Sequence, residues 1–199
     1  MVKHGVNRVS IGSQAFDPTL LKTLERWHDP DHVERAVTYV RSAGIDNINL
    51  DLIYAIPQQT ISQLEVDLQC AMALKPKHLS CYTLIFEPNT PLRVKLDRGE
   101  ITPVDHDVEA DMFGMVRDIL QANGFEQYEI SNYARFGFEC QHNLLYWMNQ
   151  SWWPFGPAAA GHLNGRRWRN RPRLSDYLKT VGLPHVEDVE VLLPDQRAG

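Results

Sequence analysis

Residues 47–56, NINLDLIYAI, decide how this chain folds. The run is rich in β-branched and apolar side chains and is closed by a proline, which is typical of a buried strand. Residues 6–14 (VNRVSIGSQ) and 78–86 (HLSCYTLIF) are strand-like runs on either side of it. Helical patterns separate the three runs, one over residues 31–44 and one over residues 60–75. Strands that alternate with helices predict a parallel sheet with right-handed crossovers.

This pattern continues for two more segments and then stops. A long helix is predicted over residues 104–122 and a fourth strand over residues 125–130, whereas the chain after Tyr133 shows no clean period. We therefore predict an α/β fold: a partial (β/α) barrel over residues 1–133, followed by an aromatic and arginine-rich extension over residues 134–199. The barrel is expected to be incomplete at its N-terminal edge. An unpaired apolar edge strand needs a covering segment or chain.

Composition excludes several classes of protein. With 43% hydrophobic residues and a net charge of −5, the chain is not of the disordered type. No apolar run is long enough to span a membrane, and the N-terminus MVKHGVNRVS is not a secretory signal, so we expect a cytoplasmic protein. A pI near 5.9 argues against a dedicated nucleic-acid binder. The arginines of residues 166–173, RRWRNRPR, form either a solvated loop or a patch for phosphate or carboxylate groups.

Polar side chains in or near the predicted strands are candidates for ligand binding. Strand alternation places Asp51 on the same face as Asn47 and Asn49. A carboxylate buried alone is costly, so Asp51 is either satisfied by its neighbours or lines a cavity for a polar ligand. Gln14 lies at the C-terminal end of its strand, where barrel folds place ligands. Arg26, in LERWHD, is either a solvated charge or a clamp for a carboxylate.

The densest cluster of aromatic and imidazole side chains is QHNLLYWMNQSWWPFGPAAAGH, residues 141–162. Such rings can form the wall of a site for a flat tetrapyrrole, with His142 as the axial iron ligand. In the alternative interpretation the tryptophans cover the open end of the sheet and His142 bonds a backbone carbonyl.

Taken together, the quoted segments resemble a known family. The chain is similar to radical S-adenosylmethionine (SAM) proteins of the oxygen-independent coproporphyrinogen III oxidase type, and HNLLYW with YEISN resembles the heme-chaperone branch of that family. The resemblance runs from Gly5 to about Arg197. It rests on six motifs in order: GVNRVSIGSQAF, LERWHD, AGIDNINLDLIYAIPQQT, HLSCYTLIFEPNTPL, GFEQYEISNYA and HNLLYW.

The resemblance implies a set of ligand-binding residues. The positions that match SAM-contacting residues of the family, with one lining the adenine ring, are Gln14, Arg26, Asp51, Ile53 and Ile85. The heme-chaperone branch implies that heme or a porphyrin binds and that heme passes to acceptor proteins. The residues we assign to heme are His142, Asn143, Tyr146 and Trp147.

The chain also departs from the family. The CxxxCxxC motif that would hold a 4Fe–4S cluster is absent, and Cys70, Cys81 and Cys140 are too scattered to replace it. Where the family has GPGAH, this sequence reads GPAAA, so Ala160 replaces a histidine and His162 is out of register. We therefore expect an internal or truncated portion that contributes part of the SAM pocket and performs no radical chemistry alone.

Three functions remain open from the sequence. The chain is part of a heme chaperone, part of a coproporphyrinogen III oxidase, or a fragment without catalysis that binds heme or has decayed. The missing cluster cysteines leave open whether it is an enzyme.

Overall fold

The computed structural model describes residues 2–179 and 186–193, which fall into two compact units divided between Glu139 and Cys140. The end of the predicted extension, residues 180–185 and 194–199, lies outside the described residues. In the described ranges, none of the helices is long and apolar enough to cross a membrane.

The first unit is built on a five-stranded sheet. Its first three strands run parallel, which confirms the predicted mixed α/β class with a parallel sheet. The strand β1 pairs only with β2 among the described strands and forms one edge. In the order of the sheet, the strands are β1 (Val9–Gln14), β2 (Ile48–Tyr54), β3 (His78–Thr83), β5 (Asn132–Ala134) and β4 (Glu126–Gln127).

The fourth strand differs from the prediction. Residues 125–130, predicted as one strand, contain only the short β4, and β5 lies next to β3 in the antiparallel direction. A tight turn joins β4 to β5, with the Tyr128 N–H donating to Asn132 O at 3.2 Å, and a hairpin of this kind is antiparallel. The fourth strand is therefore shorter than predicted, and β4 runs parallel to β3 but lies beyond β5 at the edge of the sheet.

Three of the five α-helices described in the first unit cover one face of this sheet. Their starts follow from local capping: Thr60 and Gln63 form a reciprocal capping box, and Asp29 accepts from the Asp31 N–H. Thr90 likewise caps a short helix at residues 91–97, where its side chain accepts from the Arg93 N–H. The helices are α1 (Pro18–Thr23), α2 (Pro30–Ser42), α3 (Ile61–Ala73), α4 (Pro91–Asp97) and α5 (His106–Ala122).

The core lies between the sheet and α2, α3 and α5. Alternate residues of the strands, such as Leu50, Leu52 and Leu79, are fully buried against these helices. Because side chains of a strand alternate between its faces, the residues between them project to the opposite side of the sheet. The position of the core therefore determines which side chains are available for a site.

The second unit contains a small antiparallel sheet of order β6-β7-β8. Its elements are α6 (Gln141–Trp147), β6 (Ala160–Leu163), β7 (Arg166–Asn170), α7 (Leu174–Leu178) and β8 (Val186–Val191). The arginine-rich segment is mostly strand, with Trp168 buried and Arg167 opposite Glu190. Residues 166–170 are therefore a strand and not a loop, because they pair with the acidic strand β8, while the three arginines of β7 are exposed to solvent as expected.

Candidate ligand-binding site

The face of the first sheet opposite the helices carries a row of polar side chains, which we call the polar face. It is defined by register, since residues paired on neighbouring strands project to the same side. Asn49 and Asp51 of β2 lie there as the sequence predicts. The residues beside them are Ser10 and Gly12 of β1, His78 and Ser80 of β3, and Asn132 of β5.

Asp51 is half-buried and held by hydrogen bonds from two neighbours. Ser10 Oγ lies 3.1 and 2.9 Å from its two carboxylate oxygens, and Asn49 Nδ2 donates to Oδ1 at 2.6 Å. The carboxylate therefore has the neighbouring partners of the first interpretation, and it is not sealed in the core. A carboxylate has about four acceptor positions, so this arrangement fixes its orientation and still leaves it able to accept from a ligand.

Gln14 ends β1 in a left-handed conformation with φ 63°. The pairing of β1 with β2 shifts between Gly12 and Gln14, and the Gln14 side chain folds back over Gly12. Its Nε2 lies 2.6 Å from the point where a Cβ on Gly12 would be, and Gly12 is opposite Asp51. Because Gly12 has no side chain, the Gln14 amide can lie over it on the polar face, at the position opposite Asp51.

The other three residues proposed for SAM lie at the same end of the sheet in different settings. Ile53 is half-buried on the polar face, two residues beyond Asp51. Arg26 is exposed in the connection between β1 and α2, and Ile85 is 67% exposed just after β3. The segment with Arg26 follows the carboxyl end of β1, and the segment with Ile85 follows the carboxyl end of β3. An ion pair of 2.8 Å between Lys95 and Glu25 ties them together.

A buried histidine on the polar face was not singled out from the sequence. His78 is fully buried, with Nδ1 2.6 Å from Asn49 Oδ1 and Nε2 2.8 Å from the Tyr128 hydroxyl. Burial, together with the nearby charge of Arg8, lowers the pKa of His78 to about 3, so its ring is neutral. The alternation of His78 and Ser80 in HLSCYT, matching that of Asn49 and Asp51, is the signal that could have found it.

A buried carboxylate on α3 supports the loop that leaves β1. Asp67 is 2% exposed and accepts from the Phe16 N–H at 2.6 Å, with Gln59 Nε2 3.4 Å from its other oxygen. Burial raises the pKa of Asp67 to about 6 against the lowering effect of these bonds. Asp67 therefore anchors the backbone two residues after Gln14.

The aromatic cluster of the second unit is a series of rings in contact. His142 Nε2 lies 2.9 Å from the Tyr146 hydroxyl, and the Tyr146 ring packs edge-on against Trp152 with 4.3 Å between ring centroids. His142, Tyr146 and Trp147 are exposed on α6, while Asn143 is half-buried. The suggested bond from His142 to a backbone carbonyl is replaced by this side-chain bond, because residues four apart on a helix face each other.

His162 is a structural residue of the β6–β7 hairpin. The Gly165 N–H donates to its Nε2 at 3.1 Å, so its hydrogen lies on Nδ1 and donates to Gln150 O at 2.7 Å. Both ring nitrogens are thus occupied and the residue is 2% exposed.

Among the described residues, no disulfide joins the three cysteines, which lie in different elements. Cys70 is on α3, Cys81 is buried in the core on β3, and Cys140 precedes α6. The part of the chain that the structure describes contains no group of three His, Cys, Asp or Glu side chains placed to hold a metal ion. These residues do not fit a 4Fe–4S cluster, and we assign no step to one.

Comparisons with known proteins agree with this architecture. The model of the radical SAM superfamily matches residues 1–71. The heme chaperone HemW of Lactococcus lactis is 38% identical over 187 residues, which cover 94% of this chain and 49% of that protein. HemW of Bacillus subtilis is 36% identical over 195 residues, covering 96% and 52%, and HemW of Escherichia coli is 41% identical over 157 residues, covering 79% and 40%.

Solved structures are similar in fold. The coproporphyrinogen III oxidase HemN of Escherichia coli, a radical SAM enzyme, superposes with a TM-score of 0.71 at 19% identity, over 88% of this chain and 43% of that one. The archaeal Elp3 of Methanocaldococcus infernus gives a TM-score of 0.54 at 20% identity, over 60% of this chain and 28% of that one. These likenesses confirm the predicted fold class.

The chain belongs to the radical SAM superfamily. Within the superfamily it is a HemW-like protein, as its motifs predicted, and it spans about half the length of the first relatives it matches, 49% and 52%.

Proposed function

We propose that this chain forms part of a HemW-like protein that binds SAM and heme and passes heme to acceptor proteins in the cytoplasm. Within that protein, the polar face of the first unit contributes one wall of the SAM site. The observation that carries the proposal is Asp51, a carboxylate held by Ser10 and Asn49 yet half-buried, on the sheet face opposite the helices.

The chemistry of the surrounding side chains fits SAM. The carboxylate of Asp51 and the amide of Gln14 can bond ribose hydroxyls or an ammonium group, and Ile53 offers an apolar contact beside them. Arg26 supplies a guanidinium for the methionine carboxylate, and the exposed Ile85 supplies an apolar surface for adenine. In this superfamily, SAM bound beside a reduced iron–sulfur cluster supplies radical chemistry. The described residues hold and orient SAM only.

The partners in this proposal include a segment or chain that covers β1. Only one edge of β1 is paired in the described sheet. The exposed backbone groups of the other edge are a template for a further strand.

Replacement of Asp51 tests the SAM site directly. We expect Asp51→Asn to weaken SAM binding by about tenfold or more, because a hydrogen bond to a charged acceptor contributes about 1.5–3 kcal/mol. Isothermal titration calorimetry at pH 7 measures the change. Asp46→Asn is the matched control, since Asp46 forms surface ion pairs with Arg41 and Lys77 at 3.4 and 3.2 Å. Equal dissociation constants for Asp51→Asn and wild type would contradict the site.

A second candidate function, heme binding by the second unit, is favoured by the exposed His142 on α6. Titration with hemin should give a shifted Soret band in the wild type, and His142→Ala should lose that shift because the axial nitrogen is removed. His106→Ala is the control, since the His106 side chain is fully exposed at 101%. A spectrum unchanged in His142→Ala removes the axial role of His142.

A further inference from the structure

Four side chains of the polar face form one continuous series of hydrogen bonds. The Tyr128 hydroxyl lies 2.8 Å from His78 Nε2, His78 Nδ1 lies 2.6 Å from Asn49 Oδ1, and Asn49 Nδ2 lies 2.6 Å from Asp51 Oδ1. His78 and Asn49 are buried at 0% and 2% exposure, whereas Tyr128 and Asp51 are partly exposed. A buried histidine is thus linked through one amide to the carboxylate of the proposed SAM site.

The carboxylate fixes the direction of each bond in this series. An ionised carboxylate only accepts, so Asn49 presents Nδ2 to Asp51 and therefore turns Oδ1 toward His78. The amide oxygen also only accepts, so the hydrogen of the His78 ring lies on Nδ1. Nε2 of the neutral ring then accepts from the Tyr128 hydroxyl, so each donor in the series faces an acceptor.

We propose that His78 is a positioning residue for Asp51, acting through Asn49. Its Nδ1 hydrogen holds the Asn49 carboxamide in the orientation that offers an N–H to the carboxylate. This inference rests on the proposed role of Asp51 in binding SAM. The series is an orienting device and not a proton path, since an amide does not readily pass a proton from its nitrogen to its oxygen.

Loss of the His78 donor changes which atom of Asn49 faces the Asp51 carboxylate. Without that donor, the longer contact of 3.3 Å from the Ser80 hydroxyl remains as a donor to Asn49 Oδ1. A rotation of the carboxamide would then place Oδ1 against the carboxylate, where two acceptors repel. Ser10 Oγ, at 2.9 and 3.1 Å, then orients the carboxylate without Asn49. Removing a partner that orients a binding group typically weakens the site by about tenfold or more, as is known for residues behind metal ligands.

The tautomer of His78 tests the bond directions without any ligand. Long-range ¹H–¹⁵N NMR spectra of the full chain at pH 7 should show a neutral His78 ring with its hydrogen on Nδ1. A hydrogen on Nε2 would overturn the proposal, because the Asn49 oxygen would then receive no donor from His78. A doubly protonated ring would also overturn it, because the ring would not be neutral.

Two substitutions of the same residue test the effect on SAM. His78→Asn keeps an N–H at the position of Nδ1, whereas His78→Leu removes every donor. We expect His78→Leu to weaken SAM binding about tenfold and His78→Asn by no more than about threefold. Val116→Ala, a core substitution on α5, controls for lost stability: it should lower the melting temperature and leave the dissociation constant unchanged.

The failure of this proposal differs from the failure of the proposed function. A wild-type chain that binds no SAM overturns the function of the site. Binding by the wild type with an unchanged dissociation constant in His78→Leu, or with His78→Asn as weak as His78→Leu, overturns the role of His78 alone.

Discussion

Leu50→Ala should lower the free energy of unfolding by about 3–4 kcal/mol, because it removes buried methylene groups and leaves a cavity that the sheet cannot collapse to fill. Leu50 is 0% exposed on the interior strand β2, with Ile11 and Leu79 as its register partners on either side. Both neighbouring strands hold its backbone in place, so little relaxation is available. Urea denaturation followed by circular dichroism measures the loss.

An exposed apolar position on α3 provides the control for Leu50. Val66 is 54% exposed, and Val66→Ala should change the free energy of unfolding by no more than about 0.5 kcal/mol. Similar losses for the two substitutions would mean that the packing between β2 and the helices does not dominate the stability of the first unit.

The second large effect concerns pH, and it arises from Asp67 and His78 acting in opposite directions. Asp67 has a folded-state pKa raised from 3.8 to about 6, so the folded chain binds more protons than the unfolded chain between these values. Its contribution to stability is therefore full below pH 3.8 and is lost as the pH rises through about 6. A shift of this size corresponds to about 3 kcal/mol.

His78 has the reverse dependence. Its folded-state pKa is lowered from 6.5 to about 3, so the unfolded chain binds the extra proton in this range. Stability is therefore lost as the pH falls below 6.5, by about 1.4 kcal/mol for each pH unit. Where these two titration ranges overlap, at about pH 4 to 6, the two contributions nearly cancel.

Substitution of either group should reveal the pH dependence of stability that the other group causes. As the pH rises from about 4 to 7, Asp67→Asn should gain about 3 kcal/mol of stability relative to wild type, because the opposing effect of Asp67 is removed. Asn at this position can still accept from the Phe16 N–H. Over the same rise in pH, His78→Asn should instead lose stability relative to wild type. Denaturation at about pH 4, 5, 6 and 7 checks both slopes, and parallel pH profiles for all three proteins would show that neither group titrates as described.

Local sequence patterns were sufficient for the parallel part of the fold. NINLDLIYAI alternates apolar and polar positions, and this alternation is enough to assign Asn49 and Asp51 to one face of the strand. The helical patterns over residues 31–44 and 60–75 likewise coincide closely with α2 and α3. These features depend on neighbours in the chain, so they can be predicted from it.

Other features depend on segments that are distant in sequence. The place of β5 beside β3, the pairing of the arginine strand β7 with β8, and the bond from His78 to Tyr128 each join residues whose proximity no local pattern encodes. His78 in particular resembles an ordinary strand residue until Asn49 and Tyr128 are placed around it.

The amino-acid pattern alone was therefore enough for the α/β class, the first three strands, the family, and the face of β2 that carries Asp51. The assembled fold was needed to show that Gln14 folds over Gly12, that β5 lies between β3 and β4, and that Asp51 is held by Ser10 and Asn49 with His78 behind them. The physical reason is that periodicity fixes which side of a strand a residue faces, whereas hydrogen bonds between strands require the register and spacing of the complete sheet.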